Sequence, residues 1–191
     1  MIDLGTGDGR AVLAEVLADP EALVLGIDAD ARAMAEASRR AARRDPDPAT
    51  RRAWFLAVGV ERLPPELAGI ADRVTVRFPW ASLLRGALGL DPDVTGSIAR
   101  LVAPGGRLEL TLSVAGRDAP AVTGLAGDVD AAARARIVAA FAAHGLELVA
   151  IHPVTTADLA TLHSTWARRL RAGGDRPAWR VAFARPVRAV G

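Results

Sequence analysis

Cysteine, lysine and tyrosine are absent from the 191 residues. Without cysteine there are no disulfides and no thiolate chemistry. Histidine is scarce. His144, His152 and His163 fall in different segments, none at metal-ligand spacing from another, so no metal site is expected. No apolar run reaches the roughly 18 residues that a membrane span needs. The N-terminus, Met1-Ile2-Asp3-Leu4-Gly5, lacks the charged region and apolar stretch of a secretory leader. The expectation is a soluble, cytoplasmic protein. Charged residues make up only 24% and hydrophobic ones 51%, which excludes a disordered chain. The length suits a single domain, 1–191, able to bury about 70% of its unfolded surface.

All 24 basic residues are arginine. Nothing titrates between histidine and arginine, so a net charge of only +2 gives a pI near 10.6. That pI says little about partners; the distribution of charge says more. Arg32 to Arg52 holds seven arginines against Glu36, Asp45 and Asp47. From His163 onward, seven arginines face Asp175 alone. These stretches carry +4 and +6, leaving −8 for the rest. Two basic patches on an acidic body, or two solvated helix faces, fit that pattern.

Short apolar runs alternate with helical stretches. Strands are expected at Met1–Leu4, Leu23–Ile27, Trp54–Val58, Arg73–Phe78, Arg107–Val114, Leu146–Ile151 and Trp179–Ala184. Helices are expected at Arg10–Leu17, after Asp30, after Trp80, across Pro92–Val102, from Asp128 to His144, and from Thr156 to Leu170. Pro104-Gly105-Gly106 reads as a turn, Ala115–Gly127 as a loop, and Gly145 as a C-cap. The alternation implies an α/β fold: a mostly parallel seven-stranded sheet with helices on both faces and an antiparallel addition near one edge. This is the Rossmann-like layout of S-adenosylmethionine (SAM)-dependent methyltransferases, with the ligand across the carboxyl ends of the first strands.

The strongest local signal is Asp3-Leu4-Gly5-Thr6-Gly7-Asp8-Gly9, between a strand and a helix. Glycine lets backbone turn tightly and approach a ligand. The spacing is one residue shorter than the dinucleotide fingerprint. Asp3 and Asp8 would repel a pyrophosphate but attract the ammonium and sulfonium of SAM. Asp28 closes the second strand, where a carboxylate can accept both ribose hydroxyls. The third strand ends at Gly59-Val60-Glu61, which would pass the adenine ring, although Glu61 also reads as an ordinary exposed carboxylate. The fourth ends at Phe78-Pro79-Trp80, facing the transferable methyl. Proline stiffens such a loop and an aromatic ring can stack on an extruded base. Trp54 and Trp179 read as packing residues. Trp166 lies in Ser164-Thr165-Trp166-Ala167-Arg168-Arg169-Leu170-Arg171 and reads either as a base-stacking ring beside a phosphate backbone or as the core of an amphipathic helix.

Taken together, Asp3–Arg10, Phe78–Gly86 and Ser164–Leu170 resemble the aminoglycoside-resistance 16S rRNA adenine-N1 methyltransferases, the Kam/Npm family. The resemblance runs nearly the whole chain. It implies that Trp80 and Trp166 sandwich the flipped decoding-site adenine, and that Ser82 and Ser164 help arrange the site. It places Arg39, Arg40, Arg43 and Arg44 in a basic rRNA-docking segment. Arg168, Arg169, Arg171 and Arg176 correspond to basic residues after the second tryptophan. The implied cofactor is SAM, bound by Asp3, Gly5, Gly7, Asp8, Asp28, Val60, Glu61 and Ser82. The implied partner is 16S rRNA in the assembled 30S subunit, met by a monomer. The family carries an N-terminal hairpin and a complete first strand that this sequence lacks, and Gly174 and Asp175 replace usually basic positions. Two other readings stay open: a small-molecule methyltransferase, and a catalytically silent SAM- or RNA-binding protein.

Overall fold

The computed structural model describes residues 1–43, 48–113, 129–155 and 177–187. β1 (Ile2–Leu4) is buried along its whole length because it has parallel partners on both sides, β2 (Val24–Asp28) and β4 (Ala71–Arg77). Leu4 lies level with Ile27 on one side and Val76 on the other. β3 (Ala53–Ala57) extends the sheet beyond β2, and β5 (Val102–Leu112) extends it beyond β4. β7 (Trp179–Ala184) runs antiparallel between β5 and β6 (Glu147–Pro153). The order among the described residues is therefore β3-β2-β1-β4-β5-β7-β6.

The apolar runs of β1 and β2 reflect burial on both faces. Alternate residues of β2 feed two separate cores. Val24 packs with Val12, Leu13 and Val16 of α1 (Arg10–Ala18) and Ala37 of α2 (Ala31–Ala41). Ile27 joins the larger core with Leu84 of α3 (Ala81–Ala87), Ile98 of α4 (Pro92–Ala99), and Ile137 and Phe141 of α5 (Ala131–Ala142). Gly26 lets α1 approach closely: a Cβ there would sit 2.8 Å from Val12 Cγ2. The ring centroids of Phe141 and Phe183 lie 4.9 Å apart, fixing α5 against β7.

Four local expectations need correction. Asp130, rather than Asp128, caps α5 by accepting from the Ala133 N–H at 2.7 Å. α4 stops at Ala99 instead of Val102, because Val102 already pairs with Ala71. Pro104-Gly105-Gly106 does turn the chain, but as a bulge inside β5: the ladder jumps from Ala71–Val102 to Arg73–Arg107. Gly105 adopts φ 78°, and the bulge is stitched to the C-terminal segment by Gly105 N–H to Arg185 O at 2.8 Å and Arg185 N–H to Gly106 O at 2.9 Å. Trp54 is not a core residue but 63% exposed. Ala53 and Phe55 pack with the α1–α2 core, so alternation turns Trp54 to the other face of the outermost strand. Gly145 does end α5, with φ 74° and bonds from the Gly145 and Leu146 N–H groups to Ala142 O and Phe141 O. The expected Ala115–Gly127 loop and Thr156–Leu170 helix lie outside the described residues.

Candidate active site

The carboxyl ends of β1 to β4 open onto a cleft of about 140 Å³. Its floor is made by Leu4, Ile27, Val58 and Leu83, and its polar rim by Asp28, Glu61 and Ser82. The glycine loop folds back onto β2: the N–H groups of Gly5 and Thr6 both donate to Ile27 O, at 2.8 and 3.1 Å. Such a tight reversal demands left-handed backbone, and Gly5, Gly7 and Gly9 have φ of 77°, 59° and 70°. They do different work. A Cβ on Gly5 would lie 2.6 Å from Leu83 Cδ2, where the loop meets α3. Gly9 serves packing, since its Cβ would strike Phe55 and Ala37. Around Gly7 there is open space.

Asp28 organises this end of the sheet. Its Oδ2 accepts from the Gly7 N–H at 2.8 Å and its Oδ1 from the Asp30 N–H at 2.9 Å. Its backbone carbonyl accepts from the Val58 N–H at 2.9 Å. The carboxylate is thus fixed in orientation at the edge of the cleft, and each oxygen, with one backbone donor, can accept a further hydrogen bond. The donor set suits SAM: an oriented carboxylate for two vicinal hydroxyls, and apolar walls from Ile27, Val58 and Val60 for a purine.

Asp3 and Asp8, expected to attract a cationic ligand, each have an arginine partner within the protein. Asp3 is 3% exposed, and its Oδ1 accepts from Thr75 Oγ1 at 2.6 Å and Arg77 Nη1 at 2.8 Å. Its charge is balanced within the protein. Asp8 accepts from the Arg10 N–H at 3.2 Å and faces the Arg10 guanidinium at 3.5 Å, just ahead of α1, whose N-cap is Gly9.

Val60 and Glu61 lie on a short 3-10 turn after β3 and line the cleft with Ser82. The Ser82 hydroxyl donates to the Glu61 carboxylate and holds its pKa below the usual glutamate value; a backbone N–H of Glu61 itself assists. This bond ties the turn after β3 to the first turn of α3, next to Trp80. Because the folded-state pKa is lowered, the bond is fully present above the ordinary glutamate pKa and is lost as pH falls through the lowered value. Ser82→Ala is expected to move the Glu61 pKa back up toward its ordinary value, measured by carboxylate NMR titration. An unmoved pKa would refute the pairing.

Trp80 caps α3 in extended backbone (φ −138°, ψ 170°) and is 67% exposed at the rim of the cleft. It sits between two non-glycine residues with positive φ, Phe78 and Ala81, both at 50°. Each such residue costs on the order of 1–3 kcal/mol and persists only where packing over-determines it. The buried Phe78 ring and the Phe78 N–H bond to Thr111 O at 2.8 Å supply that constraint. The strained turn presents the indole outward instead of folding it into the core.

α2 displays the basic segment. Asp30 caps it, accepting from the Arg32 and Ala33 N–H groups, and Met34 and Ala37 anchor its inner face. Arg39, Arg40 and Arg43 are exposed, Arg39 being paired with Glu36 at 3.0 Å. Arg52, counted with this segment from sequence, turns inward and bonds the carbonyls of Val16, Asp19 and Ala22 at the end of α1. Arg44, Ser164, Trp166, Arg168, Arg169, Arg171 and Arg176 lie outside the described residues. Sequence reasoning missed Leu83 and the Asp3–Thr75–Arg77 network. Asp3 inside the apolar β1 and Arg77 at the end of β4 were the available signal.

The family profile described as NpmA, 16S rRNA (adenine(1408)-N(1))-methyltransferase, matches residues 1–184. The protein described as 16S rRNA (adenine(1408)-N(1))-methyltransferase from Streptoalloteichus tenebrarius is 31% identical over 178 residues, covering 92% of this chain and 82% of that protein. One so described from Streptoalloteichus hindustanus is 30% identical over 184 residues, with the same coverages, 92% and 82%. Among solved structures, a tryptophan-to-alanine mutant of the enzyme of that description from Catenulisporales acidiphilia, with cosubstrate SAM, superposes with a TM-score of 0.85 at 28% identity. It covers 100% of this chain and 86% of that one. The 16S rRNA methyltransferase KamB gives 0.85 at 30% identity, covering 97% and 86%.

Proposed function

The chain belongs to the 16S rRNA (adenine(1408)-N(1))-methyltransferase family, and from that membership we propose that it methylates N1 of the decoding-site adenine of 16S rRNA within the assembled 30S subunit. It acts as a monomer, in the cytoplasm, with residues 1–191 forming one methyltransferase domain. The observation that carries this reading is the placement of an exposed Trp80 beside a cleft that also holds Asp28. Among the described residues, no helix is long and apolar enough to cross a membrane.

SAM, when bound, supplies a methyl group made electrophilic by its sulfonium. Adenine N1 is a neutral nitrogen with a free lone pair, so a new N–CH3 bond forms as the S–CH3 bond breaks, with no proton to remove beforehand. The protein's task is orientation and exclusion of water. Asp28 would hold the ribose, Val60 and the Glu61 backbone would flank the adenine of SAM, and Ser82 would keep Glu61 and the Trp80 loop together. Asp3 and Asp8 would act indirectly, by fixing β1 and the start of α1 on either side of Gly5 and Gly7. Trp80, with Trp166 and Ser164, would receive the flipped base. Flipping costs a few kcal/mol, which two aromatic faces at roughly 1–3 kcal/mol each can offset. The product base carries a methyl group and a positive charge, both of which oppose docking of a cationic aminoglycoside ring; this is the route to resistance.

The test is incubation of purified protein with 30S subunits and labelled SAM, followed by mapping of the modified nucleotide. Label at a different nucleotide, or none, would overturn the reading. Arg39, Arg40, Arg43 and Arg44, with Arg168, Arg169, Arg171 and Arg176, would dock the rRNA backbone. Arg43→Glu combined with Arg44→Glu is expected to weaken 30S binding at least tenfold and to flatten its salt dependence, sparing SAM affinity, because phosphate contacts position without reading sequence. Filter binding across a salt series and calorimetry with SAM check this. A parallel loss of both affinities would make the segment structural.

A further inference from the structure

Outside the cleft, a groove of about 580 Å³ runs along the outer edge of the sheet. Ser38, Ala41 and Arg43 form one wall, at and just beyond the last turn of α2, while Arg51 and Trp54 form the other. Trp54 is exposed, and its ring is held by an Nε1–H bond to Arg51 O at 3.3 Å. Its polar edge is therefore used, and what it offers is a π face. None of the described residues lining the groove is acidic. Glu36, the carboxylate within α2, is already paired with Arg39. Arg43 and Arg51 form no ion pair with another described residue.

A flat ring without a free donor, set between two guanidinium groups that form no ion pair among the described residues, combines the two halves of nucleotide recognition: stacking for a base and cations for its phosphates. We propose that this groove is a second RNA subsite, in which Trp54 stacks on an unpaired nucleobase of the ribosomal RNA while Arg43 and Arg51 hold the adjacent phosphates. The proposal rests on the rRNA reading above. Four residues of extended chain, about 13 Å, separate Trp54 from Val58 at the cleft. The base in the groove is therefore a different nucleotide from the one methylated, and the subsite sets where the enzyme sits on the subunit.

The experiment measures 30S affinity, SAM affinity and rRNA chemical protection for Trp54→Ala, Trp54→Phe and Arg51→Glu. Trp54→Ala is expected to weaken 30S binding about tenfold, leave SAM affinity unchanged, and expose one nucleotide that the native enzyme protects, away from the target adenine. Trp54→Phe should keep most of the affinity, because a π face remains. Arg51→Glu should weaken binding and lower its salt slope, which Trp54→Ala should not change. If Trp54→Ala is unstable, the Phe and Arg51 variants decide. Native 30S affinity in both Trp54→Ala and Arg51→Glu would overturn the subsite. Failure of the native protein to methylate 30S subunits would instead overturn the functional reading beneath it.

Discussion

Trp80→Ala is expected to lose most methylation of the decoding-site adenine, roughly 10- to 100-fold, while keeping its fold and its SAM affinity. The magnitude follows from the stacking energy of one base on one aromatic face, about 1–3 kcal/mol. The sparing of the fold follows from exposure: Trp80 is 67% exposed, and the buried aromatic of that turn is Phe78. Trp80→Phe should retain more activity than alanine, since stacking needs a flat π face and not the indole N–H. Trp166→Ala should behave like Trp80→Ala. The double mutant should be little worse than the weaker single mutant, because a base held on one face is already unheld. Methyl incorporation from labelled SAM into 30S subunits gives the rates, and thermal melting gives the fold. Normal methylation by both single mutants would refute the clamp. Unfolding of Trp166→Ala would return that residue to a packing role.

Asp28→Ala is expected to weaken SAM binding by about two orders of magnitude, near 3 kcal/mol, through loss of charge-assisted hydrogen bonds to the ribose. The structure adds a cost to the free protein. The Gly7 and Asp30 N–H groups lose their acceptors, and the glycine loop loses its tether to β2. These groups are near water, so the stability loss should stay near 1 kcal/mol. Asp28→Asn separates the two roles, because the amide oxygen can still accept one of the backbone N–H groups while the charge is gone. It should melt closer to the native protein yet bind SAM poorly. Calorimetry and thermal melting measure both. Unchanged SAM affinity in a folded Asp28→Ala would remove Asp28 from the binding site.

What could be read from the sequence was what local signals carry. The glycine loop between a strand and a helix, Asp28 at a strand end, and Trp80 after a proline are each legible within a few residues. The cleft does bring Gly5, Asp28, Val60, Glu61, Trp80 and Ser82 together. The relationships between distant segments were not legible. The Ser82 bond to Glu61 joins α3 to the turn after β3, and Asp3 meets Thr75 and Arg77 only because β1 and β4 are parallel neighbours in one register. Trp54 was misread because an aromatic on a strand is buried only if something covers that face, and β3 is outermost. Arg52 reads as surface charge because nothing in sequence shows that the carbonyls of Val16, Asp19 and Ala22, in and just after α1, lie within its reach.

The insertion of β7 between β5 and β6 bears on how the protein is made. A nascent chain emerges N-terminus first, and β1 to β5 can zip together in order, since each finds its partner among strands already synthesised. β6 cannot follow suit. Among the described residues its ladder partner is β7, which emerges last. Until Trp179–Ala184 clears the ribosome, β5 keeps a bare edge and β6 remains an unpaired strand with exposed Leu148 and Val149. Completion of the sheet is therefore a single late event driven by the C-terminal strand. Chains that stop short of it should be selectively prone to edge-to-edge association and to degradation.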